Sequence, residues 1–418
     1  IGDEKKALAG ASFTPGSRLF SILRKYAILT TQFFKMRRNM MRRIIQSILL
    51  TAAALFLVGC TTRQEQAQPE DENSQAEKVV NYSELSIDEL EVLGYDGDVE
   101  AQYRLGQLYE YGSEDIDQDF DLAREWYERA AKQGSPDAWT ALGYFYLNGC
   151  GVETSLDQAA SDFQQAISLG STEANAGLAR TYLSGYGDPA QQAQMAFSYA
   201  SISEEAGDLD GICLMGYLCE QGIDCEQNYE QAMEYYQRVL ETEEPELTDE
   251  YAWNEAATRL GTMYVEGKGV ETDERQALSY FEMAADRGYR MAQYLVGVMY
   301  ENGYGMDADY GEAMRWYQLA ADQGYAPALN QIGYLYFNGY GVDVDYEETA
   351  YYQKLSAMYG YGPAQLNLGY LYEYGYGVEQ DYSVAMAYYQ MAADQGMEGA
   401  QEALSRVSVE MQEAAQAG

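Results

Sequence analysis

Residues 326–342 read APALNQIGYLYFNGYGV. Ala328, Ile332, Gly333 and Tyr336 stand at i, i+4, i+5 and i+8, which places them on one face of a helix. Gly339 follows the last of these residues, where a helix most readily ends in the left-handed conformation, and Val342 can fold back on the last turn. The stretch is one copy of a pattern. RLGQLYEYG (104–112), ALGYFYLNG (141–149), GLARTYLSG (177–185) and LMGYLCEQG (214–222) precede it, with RLGTMYVEG (259–267), LVGVMYENG (295–303) and NLGYLYEYG (367–375) completing the set. The central Gly or Ala recurs at 106, 143, 179, 216, 261, 297, 333 and 369, a step of 36 or 37 residues with a single step of 45 after the fourth copy. A fixed period in this range predicts a solenoid, because each unit buries its apolar face only by stacking on the next.

Between copies lies a second helical pattern, Ala-x-x-(Trp/Tyr)-(Tyr/Phe)-x-x-Ala-Ala, opening near an Asp suited to an N-cap, such as Asp309 or Asp381. It stops at a glycine, such as Gly324 or Gly360, soon followed by Pro327 or Pro363 at a first-turn position. The expected fold is therefore all-α: an α/α solenoid of eight two-helix repeats of about 36 residues over 98–396. Ser86-x-x-Glu89 reads as a capping box opening an N-terminal capping helix within 81–97, and 397–418 reads as an amphipathic C-terminal capping helix.

Composition narrows the chemistry. The 418 residues hold 67 Asp and Glu against 26 Lys and Arg, with 41 Tyr and no His. Without imidazole there is no Ser-His-Asp or Cys-His pair and no His-ligated zinc. A formal charge of −41 argues against a nucleic-acid partner, which needs a cationic face to displace phosphate counterions. Asp115-x-Asp117-x-Asp119 has the opening of a calcium loop, but Phe120 and Trp126 stand where that loop needs Gly and Glu. No cofactor and no metal site are expected.

The repeated unit resembles the Sel-1-like repeat, a relative of the tetratricopeptide repeat, and all eight copies share its spacing and residue types. The resemblance implies a superhelix whose first helices line a concave, protein-binding face, with catalysis rare. By analogy with the tetratricopeptide pattern, the position after the central Gly and the position four earlier face that groove. This selects Tyr144, Tyr217, Tyr334 and Tyr370 at the later position and Tyr103, Tyr294 and Asn330 at the earlier one, with Glu301 and Glu373 one turn further on. Tyrosine gives contact area at small entropic cost, carboxylates favour a basic segment, and aromatic rings equally suit a glycan. Ordinary exposed helix residues are the competing reading at each position. The tyrosine three after the Gly or Ala, as in Tyr109, Tyr264, Tyr336 and Tyr372, is uniform from unit to unit and is expected to pack.

Repeat 4 departs from the pattern. Cys219 replaces the uniform Tyr and Cys225 the turn Val, so a local disulfide is the expectation, against two independent small apolar substitutions. An insertion, ETEEPELTDEYAW (241–253), follows and reads as a solvated loop.

The first 59 residues differ from the rest, with ten Lys and Arg against two acids. Arg37, Arg38, Arg42 and Arg43 precede an apolar run from Ile44 to Val58, short for a membrane span of about 20 residues but suited to a signal-peptide core. It ends Leu57-Val58-Gly59-Cys60, which resembles a bacterial lipobox and implies lipidation of Cys60, with a free membrane-anchoring helix or a buried helix as the alternatives. On this reading Met36, Met40 or Met41 is the start, 1–35 is an upstream extension, 36–59 is the signal and 60–80 holds the lipidated Cys and a flexible tether. The resemblance to Gram-negative lipoproteins further implies, from Thr61 rather than Asp after the Cys, the outer membrane, with the array facing the periplasm. The expected function is an envelope-anchored scaffold that binds envelope proteins, including basic segments. A cell-wall processing enzyme or glycan-binding module is the alternative.

Overall fold

The computed structural model describes residues 81–82, 85–112, 116–242 and 250–417. Cys60 and the whole leader and tether reading lie outside these residues. The chain opens with α1 (Ile87–Asp96). Helix pairs then follow as α2 (Val99–Tyr111) with α3 (Phe120–Lys132), α4 (Pro136–Asn148) with α5 (Leu156–Ser168), α6 (Ala174–Leu183) with α7 (Gln192–Glu205), and α8 (Leu209–Gln221) with α9 (Tyr229–Leu240). The second half repeats this as α10 (Glu250–Glu266) with α11 (Glu274–Asp286), α12 (Arg290–Asn302) with α13 (Tyr310–Asp322), α14 (Ala326–Asn338) with α15 (Tyr346–Met358), and α16 (Gly362–Tyr374) with α17 (Tyr382–Asp394). A last helix, α18 (Ala400–Ala417), packs on α17. Each helix packs chiefly on its neighbours in sequence, which defines a solenoid.

The local code accounts for the pairs. The second helices open on Asp119, Ser155, Asn228, Asp273, Asp309, Asp345 or Asp381, whose side chains accept from the first free backbone N–H groups. Helix α7 is the exception, opening at Gln191 without a side-chain cap. The capping box at Ser86 and Glu89 is formed. Helix α14 ends at Gly339 with φ 68°. Gly341, two residues on, lets the next repeat close: a Cβ there would stand 2.7 Å from Tyr310 Cβ at the start of the preceding second helix.

Packing inside a repeat relies on the central glycine of the first helix. A Cβ on Gly106 would lie 2.5 Å from the Tyr127 ring, and one on Gly369 2.6 Å from the Tyr389 ring. The glycine thus makes a flat seat for an aromatic ring of the second helix, and Tyr127, Tyr236, Tyr317 and Tyr389 are among the largest fully buried side chains. The uniform tyrosines of the first helices pack less deeply. They stack on second-helix rings, Tyr264 on Tyr280 at 5.6 Å, Tyr336 on Tyr352 at 5.9 Å and Tyr372 on Tyr388 at 5.9 Å.

The layers differ in curvature. First helices also meet first helices, α4 with α6, α6 with α8 and α8 with α10, which puts the first-helix layer on the inside of the curve over repeats 2–5. Of the insertion, residues 241–242 and 250–253 are described. Glu250–Trp253 belong to α10, and Trp253 is buried with its indole N–H donating to the Thr242 carbonyl at 3.1 Å and the Arg287 guanidinium 4.4 Å from its ring. An apolar indole with a satisfied N–H docks the end of the insertion back on the stack.

Candidate partner-binding surface

The inner layer is a sealed polar joint over most of its length. Of the nine residues expected to line a groove, Tyr103, Tyr144, Tyr217, Tyr294, Asn330, Glu301 and Glu373 are buried. Tyr103 packs on Tyr127, and Tyr294 on Tyr317 and Tyr325. The Tyr144 hydroxyl donates to Asp210 at 3.4 Å, two repeats away, so this tightly curved face closes on itself and leaves these side chains no outlet. The Asn330 side chain accepts from Asn367 Nδ2 at 2.9 Å.

Glu301 and Glu373 serve the core. A buried phenol needs an acceptor. Tyr127 donates to Glu110 at 2.6 Å, Tyr236 to Glu220 at 2.9 Å, Tyr317 to Glu301 at 2.7 Å and Tyr389 to Glu373 at 2.5 Å. Each acid stands four residues after the central glycine, and three of them also accept from the next unit: Glu220 from Arg259, Glu301 from Gln331 and Glu373 from Nε and Nη2 of Arg406 in α18. Burial works to raise the Glu373 carboxyl, but Arg406 and the Tyr389 hydroxyl outweigh it and hold the group below the usual carboxylate range. Where the second-helix position is Phe163, Phe281, Ala200 or Gln353, the partner position is Leu147, Val265, Leu183 or Phe337. The pairing of Tyr with Glu was available in the sequence as an internal covariation.

Repeats 3–5 carry ion pairs that the periodicity did not single out. Arg180 contacts Asp210 at 3.1 Å, and Arg259 lies between Glu255 at 2.6 Å and Glu220 at 3.2 Å with its guanidinium 4.6 Å from the Tyr217 ring. Asp208 caps α8 and accepts from the Ser203 hydroxyl. Loss of hydration, with Asp210 next in effect, pushes the Asp208 carboxyl up to about 7. The folded chain then holds that proton more tightly than the unfolded chain, so this group's contribution to stability falls as pH rises from about 4 to 7. Asp208→Asn keeps the capping oxygen and removes the charge. It is expected to match the parent near pH 4 and to exceed it by ~1–2 kcal/mol at pH 8. Urea melts at the two pH values check this, and an equal difference at both would refute it.

Cys219 and Cys225 are thiols here, not a disulfide. They lie in hydrogen-bonding contact, and burial followed by Cys225 pushes the Cys219 thiol up to about 11. The Cys225 thiol turns to the Leu218 carbonyl at 3.4 Å, the acceptor side of the turn that ends α8.

The accessible remainder is Tyr334 and Tyr370, which belong to one aromatic strip along the helix turns of repeats 6–8. Tyr340 lies 4.9 Å from Tyr310 and 6.0 Å from Tyr334. Beside them Phe337 touches Tyr346 at 5.4 Å and Tyr376 at 5.8 Å, Tyr346 lies tilted against Tyr376 at 4.9 Å, and Tyr370 meets Tyr374 at 4.7 Å. Despite these contacts Tyr346, Tyr370 and Tyr374 remain 38%, 40% and 45% exposed. Contiguous aromatic surface left to water is the mark of an interaction site.

A family model for the Sel1 repeat matches the chain at 99–135, 136–171, 172–208, 209–238, 254–289, 290–325, 326–361 and 362–397. A Sel1 repeat protein from Oxalobacter formigenes is similar at 26% identity over 82% of this chain and 98% of its own, with a TM-score of 0.50. The protective antigen c5321 of uropathogenic Escherichia coli strains, which displays an SLR fold, is 27% identical over 78% of this chain and 68% of its own, with a TM-score of 0.46. No curated protein matches the chain. Eight consecutive matched units, and helix pairs in the same register, make this chain a member of the Sel1 repeat family.

Proposed function

We propose that the chain is a lipid-anchored scaffold of the bacterial envelope that holds protein partners against the aromatic strip of repeats 6–8. The observation that carries this reading is the exposure of Tyr346, Tyr370 and Tyr374 within one cluster of touching rings. The Sel1-repeat fold is of the protein-interaction scaffold type and generally non-enzymatic, so binding is the work to look for first. Anchoring rests on the order of arginines, apolar run, Gly59 and Cys60 in the sequence, with the outer membrane favoured by Thr61.

The test places a photo-crosslinking amino acid at Gln380, beside the strip, in cells producing the full chain. Defined crosslinked species are expected, and Tyr334→Ala with Tyr370→Ala is expected to reduce them at least tenfold, because aromatic anchors dominate such interfaces. Crosslinking that the double variant leaves intact would remove the strip from the binding role. Cys60→Ala is expected to release the chain from the membrane fraction, and its retention there would refute the anchor.

A further inference from the structure

We propose that the partner segment seated on this strip is cationic: a run of arginine or lysine side chains lying on the tyrosine faces, with the exposed carboxylates of the turns around them. This rests on the strip being the partner surface and goes on to specify the chemistry it recognises.

The turns repeat the same grouping. Gly303-Tyr304-Gly305, Gly339-Tyr340-Gly341 and Gly375-Tyr376-Gly377 follow at steps of 36 residues, so three tyrosines recur at one edge of the stack. Each is followed within five residues by exposed acids: Asp307 and Asp309, Asp343 and Asp345, Glu379 and Asp381. Glu347 adds another beside Tyr346. Between residues 303 and 405 the chain holds fourteen acids and only two cations, Arg315 and Lys354. Both are engaged with other rings, Arg315 over Trp316 at 4.3 Å and paired with Glu312, and Lys354 over Tyr372 at 5.7 Å.

The rest of the molecule shows what such rings accept. Arg129 lies 4.4 Å from the Trp126 ring and 5.4 Å from that of Tyr95, Arg287 covers Trp253, and Arg259 covers Tyr217. A guanidinium over an aromatic face is thus the contact this chain uses repeatedly within itself, and the ring quadrupole explains the attraction. On the strip acidic turns border the rings, and the cations that reach its edges are engaged, Arg275 donating to the Gly305 carbonyl at 3.2 Å and Arg406 paired with Glu373. An apolar partner would leave these carboxylates to be dehydrated without compensation, whereas a cationic one gains from both the rings and the acids.

The experiment uses the full chain and two labelled probes, a twelve-residue Arg-Gly-Gly repeat peptide and its twin with glutamine at every arginine, read by fluorescence anisotropy at 150 mM salt. The arginine peptide is expected to bind at least tenfold more tightly than its twin. Tyr346→Ala with Tyr374→Ala and Tyr376→Ala is expected to weaken it at least tenfold. Asp343→Asn with Glu347→Gln and Glu379→Gln, which spares the capping Asp309, Asp345 and Asp381, is expected to weaken it about fivefold and to flatten the salt dependence. Glu153→Gln with Glu226→Gln and Glu230→Gln removes as many exposed acids elsewhere and is expected to change binding less than twofold. Equal binding of the two peptides overturns the proposal, as does an equal loss in the distant-acid variant, which would mean attraction to net charge alone. A chitin oligosaccharide that binds and depends on the three tyrosines, with no response to the arginine peptide, overturns it in favour of sugar stacking. If the ring variant loses helical content, the acid variant still decides. Crosslinked partners that persist at Gln380 while the arginine peptide fails would leave the scaffold reading standing and remove only the cationic specificity.

Discussion

Arg259→Leu is expected to cost about 3–5 kcal/mol of stability, the loss typical of breaking a buried ion pair from one side. Arg259 is 2% exposed and is the cation between Glu220 and Glu255, each also 2% exposed by side chain. Removing it leaves two carboxylates in a region that has given up its water. Local unfolding should centre on α8 and α10, since a solenoid unit answers mainly to its neighbours. Hydrogen exchange over residues 209–266 reads this directly. A variant within about 1 kcal/mol of the parent would show that the pair is screened and structurally idle.

The second large effect concerns the pairing of Tyr317 with Glu301. Glu301→Leu leaves a buried hydroxyl without its acceptor, and Tyr317→Phe removes a donor from a buried carboxylate that still receives Gln331 at 3.1 Å. Each single change should cost about 1–3 kcal/mol. The double variant installs Leu opposite Phe, the combination that repeat 2 already carries as Leu147 and Phe163. It should recover much of the loss, with a coupling of about 1–3 kcal/mol in a double-mutant cycle. Additive losses would mean that the two side chains are independent and that their covariation along the array has another cause.

The fold was legible because a 36-residue period leaves few architectures, and because Gly339 and Asp309 mark helix ends by local chemistry that tertiary structure does not override. The binding surface was harder to read. The groove positions came from an analogy about which way first-helix side chains point, and that direction depends on curvature, which no single repeat encodes. Tyr144 reaching Asp210 across two repeats is a consequence of that curvature. Glu301 and Glu373 read as free carboxylates only while first helices are considered alone. Set beside the second-helix position sixteen residues later, they are explained by Tyr317 and Tyr389. Tyr334 and Tyr370 lie in the last repeats, where they meet turn tyrosines at the edge of the stack and not the interior of the joint.

The acid four residues after the central glycine gives the array a word order. Repeat 4 holds Glu220 out to a successor that must bring Arg259, repeat 6 holds Glu301 out to one that must bring Gln331, and repeat 8 holds Glu373 out to the Arg406 of the closing helix. A second copy of repeat 6 inserted after the first would present Leu295 to Glu301, since Leu295 occupies the place of Gln331. Units that look interchangeable by period are therefore not interchangeable by grammar. Duplication, deletion or shuffling within this gene is constrained at these three junctions by the acid, and at the junction of repeats 3 and 4 by the Arg180–Asp210 pair.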